Sequence, residues 1–138
     1  MALRLSLDTS FLIDLQRERL KSERDGPAHR FLRRHADAEL FLSTVALGEF
    51  AEGFADTEDA IVRAVREQHT LVAIDEATAL TYAGILRRLR RSGRLIGTND
   101  LWIGVSSLTH GLAVVTANPE HFRRIDGLHV IAHREQGP

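Results

Sequence analysis

Three acids stand at one kind of place in this chain, where a strand ends or a helix begins. Asp8 follows the alternating run Leu3-Arg4-Leu5-Ser6-Leu7 and precedes the apolar, helix-compatible Phe11-Leu12-Ile13-Asp14-Leu15. Glu49 falls roughly one and a half turns into a helical stretch, on the face of Val45 and Gly53. Asp100 opens the apolar stretch that leads into Leu112-Ala113-Val114-Val115-Thr116. A carboxylate among apolar neighbours is costly to keep charged unless it is paired or bound to a cation. Converging carboxylates also raise one another's pKa unless a divalent metal neutralises them. Oxygen-only ligands favour Mg2+ or Mn2+ over zinc. Such an ion polarises phosphates and generates a hydroxide nucleophile, the chemistry of phosphodiester hydrolysis. For Asp8 alone, the plainer reading is a helix cap, since Asp is a common capping residue and Thr9 and Ser10 are able to cap as well.

The elements that must position these acids alternate. Strands are expected at Leu3–Leu7, Leu40–Leu42, Thr70–Ile74, Leu112–Thr116 and Leu128–Ile131. Helices are expected after Thr9-Ser10, from Pro27, and from Ser43-Thr44 through Phe50 to Phe54. Another restarts at Asp56-Thr57, with Glu58 and Asp59 in its first turn. The longest is capped by Asp75, buries Tyr82, Ile85, Leu86 and Leu89, and ends at Gly93. Asn99-Asp100 opens the next, closed by Gly111, and a short helix holds Phe122 after Asn118-Pro119. This is an α/β pattern: one domain over residues 1–138, with a central, mostly parallel five-stranded sheet flanked by helices.

Composition narrows the function. A chain of 138 residues with 43% apolar and 27% charged residues has the make-up of a soluble globular domain. A net charge of −1 argues against binding nucleic acid through overall positive charge, though not against a local basic patch. With no cysteine there is neither a disulfide framework nor a thiolate zinc site. No apolar run is long enough to span a bilayer, and the N-terminus has no signal-peptide core, so no membrane role and a cytoplasmic location are expected. Of 18 basic residues Lys21 is the only lysine, a bias that a GC-rich genome produces.

Four stretches together carry a resemblance: Asp8-Thr9-Ser10 after a short first strand, Val45-Ala46-Leu47-Gly48-Glu49-Phe50, Gly97-Thr98-Asn99-Asp100-Leu101-Trp102-Ile103, and Val115-Thr116-Ala117-Asn118-Pro119-Glu120-His121-Phe122. In this order and spacing the chain resembles a PIN domain, most of all the VapC-type toxin ribonucleases of type II toxin–antitoxin systems. The resemblance implies a Mg2+- or Mn2+-dependent endoribonuclease, a homodimer, neutralised by a small cognate antitoxin. It implies Asp8, Glu49 and Asp100 as the acidic metal ligands, with Thr9, Asn99 and Thr116 orienting them or holding water. At the fourth position, which some members fill with Asp, this chain has Asn118, and His121 stands three residues later in place of an acid. A neutral amide adds no charge, so one tightly held ion is expected rather than two.

Other groups have plainer readings. Arg87, Arg91 and Arg94 repeat at helical spacing just before the Asp100 loop; they are a solvated face or an RNA-binding one. Glu52 reads as a solvated helix charge, while Asp14 either approaches the site or lies on the surface. Asp56, Asp75 and Asp126 read as caps and turns, Trp102 as a core residue, and most of the seven histidines as surface or half-buried. Phe50 and Phe54 are core or an exposed binding face. A receiver-type phosphoacceptor and a haloacid-dehalogenase-like phosphatase each resemble chemistry that needs a lysine at the site, which Lys21 does not supply. A PIN-like module that binds RNA or protein without cutting remains the alternative to the nuclease.

Overall fold

A computed structural model describes residues 2–135 of the chain. The sheet is built from β1 (Arg4–Leu7), β2 (Glu39–Ser43), β3 (Thr70–Val72), β4 (Ala113–Thr116) and β5 (Val130–Ala132). Its order is β3-β2-β1-β4-β5, and every neighbouring pair is parallel. The earliest strand therefore lies at the centre, with Leu5 in register with both Leu40 and Ala113. Parallel strands need crossovers, and helices supply them. These are α1 (Thr9–Leu20), α2 (Pro27–Arg34), α3 (Thr44–Glu52), α4 (Ala60–Gln68), α5 (Glu76–Arg91), α6 (Thr98–Thr109) and α7 (Pro119–Phe122).

Burial explains why β4 reads as an almost unbroken apolar run, and in the alternating β1 it extends even to Ser6. Leu5, Leu7, Val114 and Val115 are at most 1% exposed, because helices cover both faces of the sheet. The main core joins these strands to Phe11 and Leu12 of α1, Phe31 of α2, Ala46 and Phe50 of α3, and Ile103 of α6. A second core packs Ile85 and Leu89 of α5 against Leu101 and Val105 of α6. Gly104 lets this region close: a Cβ there would lie 2.4 Å from the Ile125 side chain.

Gly93 and Gly111 end α5 and α6 with left-handed φ values of 68° and 66°. In each turn the next residue reaches back into the last helical turn, Arg94 N–H to Leu89 O and Leu112 N–H to Ser107 O, at 2.9 and 2.8 Å. Among the described residues, no helix is long and apolar enough to cross a membrane.

Several expected boundaries moved. The helix expected to restart at Asp56-Thr57 begins at Ala60; Asp59 caps it by accepting from Ile61 N–H, while Asp56 accepts from Glu58 N–H in the preceding turn. The same local acids serve a turn and a cap, and that choice is not visible in the charge pattern. α3 stops at Glu52, leaving Phe54 beyond it, and β3 stops at Val72. Trp102 is half-buried instead of facing the core: its ring stacks on Tyr82 at 3.6 Å and 9°, fastening α6 to α5. A 3-10 turn, His133–Glu135, was not foreseen; it docks on α2.

Candidate active site

Because all five strands run the same way, their carboxyl ends share one edge, and in open α/β sheets that edge is where sites form. Asp8 follows β1, Thr116 ends β4, and β2 hands over to α3 and Glu49. α6 brings Asn99 and Asp100 in its first turn.

Asp8 occupies the N-cap position of α1, but its side chain makes no capping hydrogen bond. It points across the sheet edge. Ser10 Oγ–H and Thr116 Oγ1–H both donate to its Oδ2, at 2.6 and 2.8 Å. Those hydroxyls are themselves held, Ser10 Oγ accepting from Ala117 N–H and Thr116 Oγ1 from Asn118 N–H, both at 2.9 Å. With both hydroxyl protons used on Asp8, the network suits an ionised carboxylate. Asp8 is nevertheless only 2% exposed. Burial pushes its pKa up, the nearby Asp100 charge adds to this, and the two hydroxyl bonds offset only part.

Glu49 is held at both oxygens. Thr9 Oγ1–H donates to Oε1 at 2.7 Å and Asn99 Nδ2–H to Oε2 at 3.0 Å, so one carboxylate joins the starts of α1 and α6. A cleft of about 480 Å3 opens beside it, lined by Thr9, Ile13, Val45, Glu49, Glu52 and Asn99. Asp100 accepts from His121 Nδ1–H at 3.0 Å across α6 and α7. No lysine or arginine pairs with Asp8, Glu49 or Asp100 among the described residues.

Thr9 and Asn99 thus bond Glu49, and Thr116 bonds Asp8. Asn118 bonds none of the acids: its backbone N–H donates to Thr116 Oγ1, and its side chain is exposed and makes no hydrogen bond among the described residues. Sequence reasoning missed two participants. Ser10 was read as a helix cap and instead bonds Asp8. His121 was read only as a missing acid; the signal was its place one helical turn from Asn118, on the segment facing Asp100.

Asp14 belongs elsewhere. It is buried and bound to His133 Nε2 at 2.9 Å and to Arg134 Nε and Nη2 at 2.7 and 2.6 Å. His133 is 1% exposed, against the expectation of surface or half-buried histidines. Glu52 is exposed, as expected. Phe50 is buried and Phe54 half-buried; their rings, 5.2 Å apart, line a groove of about 410 Å3 with Ile13 and Leu20. Arg87, Arg91 and Arg94 are exposed, and none bonds the acids.

The donor set is carboxylate oxygen throughout, with raised Asp8 placed where a cation would offset its burial, which suits a hard divalent ion. Among the described residues, however, no three His, Cys, Asp or Glu side chains stand together in a group that could hold a metal. The acids share an edge without forming a finished cage.

Known proteins match this chain along almost its whole length. The VapC1 ribonuclease of Rickettsia felis is 27% identical over 135 residues, covering 92% of this chain and 94% of its own. The structure of VapBC-1 from nontypeable Haemophilus influenzae superposes with a TM-score of 0.78 at 27% identity, over 96% of this chain and 100% of that one. VapBC-5 of Mycobacterium tuberculosis, described as a member of the VapBC family of toxin-antitoxin systems, gives a TM-score of 0.66 at 27% identity, over 93% and 97%. The PIN domain family model matches residues 5–128, and the chain belongs to that family.

Proposed function

We propose that this chain is a divalent-metal-dependent endoribonuclease and the toxin of a toxin–antitoxin pair. The observation that carries the chemistry is the set of three carboxylates at one sheet edge, each oriented by hydroxyl, amide or imidazole donors and none neutralised by lysine or arginine. The similarity to VapC ribonucleases and to VapBC proteins supports the substrate class and the partner. Asp8, Glu49 and Asp100 would hold one Mg2+ or Mn2+ ion, which when bound polarises a phosphate and activates water. The protein's own residues do the rest. Ser10 and Thr116 fix Asp8, Thr9 and Asn99 fix Glu49, and His121 fixes Asp100, so that little reorganisation remains when a phosphate arrives. Asn118 and Thr116 steady the turn that leads to His121. The apolar groove over Phe50 and Phe54 is the surface for the antitoxin, and a homodimer in the cytoplasm is the expected form.

A PIN module that binds without cutting is the competing reading, and the lack of a finished metal cage among the described residues favours it. One assay separates them. The purified chain should cut single-stranded RNA with Mn2+, stop with EDTA, and resume on adding Mn2+ back. RNA bound but uncut at every metal concentration would establish the binding module. For the pair, expression should arrest growth and a small neighbouring protein should relieve it; elution as a monomer at micromolar concentration would remove the dimer.

A further inference from the structure

α7 sends His121 to Asp100, and three residues later Arg124 Nη1–H donates to the Leu95 carbonyl at 2.8 Å. Leu95 lies in the connection that carries the chain from α5 to Asp100, so this bond pins that connection against the segment beside the site. Behind the pin is a cavity of about 200 Å3. Arg88, Arg94 and Arg124 line it, with Ser92, Asp126 and the apolar floor of Leu89. The left-handed turn at Gly93 brings Arg94 back beside the last turn of α5.

Some arginines of this chain have a counter-charge beside them, Arg33 in Asp25, Arg123 in Glu120 and Arg134 in Asp14. The side chains of Arg88 and Arg94 make no hydrogen bond or ion pair with any described residue, and neither does that of Asp126. Three guanidinium groups around one cavity, against one carboxylate, repel one another unless an anion joins them. The planar guanidinium fork matches phosphate oxygens, and an apolar floor strengthens the attraction.

We infer that this cavity is a phosphate-binding pocket that grips the RNA backbone away from the bond being cut. The inference rests on the ribonuclease reading for its ligand and on the cavity for its place. It assigns the contact to Arg88, Arg94 and Arg124; of the arginines singled out by helical spacing, only Arg94 lines it.

Two measurements on the full chain test this. The first is fluorescence anisotropy of a labelled single-stranded RNA in EDTA, read as log affinity against log salt. Each lost phosphate contact should flatten the slope by about 0.7. The pair R88Q/R94Q, which leaves the Arg124–Leu95 bond intact, should flatten it by about 1.4, and R87Q/R91Q by clearly less. Equal effects of the two pairs, or no effect of the first, would overturn the pocket. The second is titration with inorganic phosphate followed by the arginine Nε–Hε resonances, which should shift saturably for Arg88, Arg94 and Arg124. Saturable shifts in a chain that cuts no RNA would keep the pocket and sink the ribonuclease reading. RNA cleavage with unmoved resonances and an unchanged slope would do the reverse.

Discussion

Asp8 stands at the N-cap of α1 and Asp14 lies six residues on, in the middle of that helix; both are buried, and their surroundings treat them in opposite ways. Asp8 is held by neutral donors alone, and its pKa is raised by burial. Burial opposes charge on Asp14 too, but Arg134 and then His133 overcome it and pull the pKa below the usual range. Glu18 on the same helix is treated like Asp14: it accepts from the Ala28 and His29 amides and the His29 ring, and its pKa falls despite burial. A carboxylate that already has its cation holds the fold together. One that is oriented but not neutralised is available to a cation from outside.

Four experiments break or sharpen that contrast. The largest effect should come from Asp8→Asn or Asp100→Asn. Cleavage should fall by more than the roughly 10- to 100-fold expected for losing a group that only orients a metal ligand. Asp14→Asn should leave the rate per folded molecule within a few-fold. A folded Asp8→Asn protein cutting at the wild-type rate would place the chemistry elsewhere.

Next come the residues that orient the acids. Thr9→Val, Ser10→Ala and Asn99→Ala should each weaken calorimetric Mn2+ binding by about 10-fold or more. His121→Ala should do the same, whereas His121→Asn, which keeps a donor near the Nδ1 position, should restore most of it. Unaltered Mn2+ affinity in all four would reduce these bonds to packing detail.

Third, the two aspartates should differ in the sign of their effect on stability. Without metal, Asp8→Asn should raise the urea midpoint, because it removes a charge that burial disfavours. Asp14→Asn should cost about 2 kcal/mol, the lower part of the range for hydrogen bonds to charged groups, since Arg134 is half exposed. Shifts of the same sign would erase the distinction.

The smallest effect is in pH. Asp14 has a lowered folded pKa, so its stabilisation is fully present above the ordinary Asp value near 4 and is lost as pH falls through the folded one. The urea midpoints of wild type and Asp14→Asn should therefore differ at pH 7 and converge in strong acid. A gap that persists there would show that Asp14 acts through shape rather than charge.

Much of this molecule was legible in its residues. Strand runs bounded by capping and turn residues gave five strands, and parallel crossovers follow from the helices between them. Asp75 and Ser43 were readable as caps, and Gly93 and Gly111 as helix ends, because capping is local chemistry. The three acids stood out because strand-to-helix junctions in a parallel sheet share one edge.

What tertiary structure alone decided is partner choice. Ser10 looked like a cap, yet Thr116, 106 residues away, draws it to Asp8. His121 takes its role from Asp100 on another helix, and His133 is buried only because a C-terminal turn docks against Asp14, 119 residues earlier. A sequence displays hydrogen-bonding capacity and local geometry. Which acid, cation or hydroxyl completes a bond depends on distances set by packing, and packing brings together residues with no periodic relation along the chain.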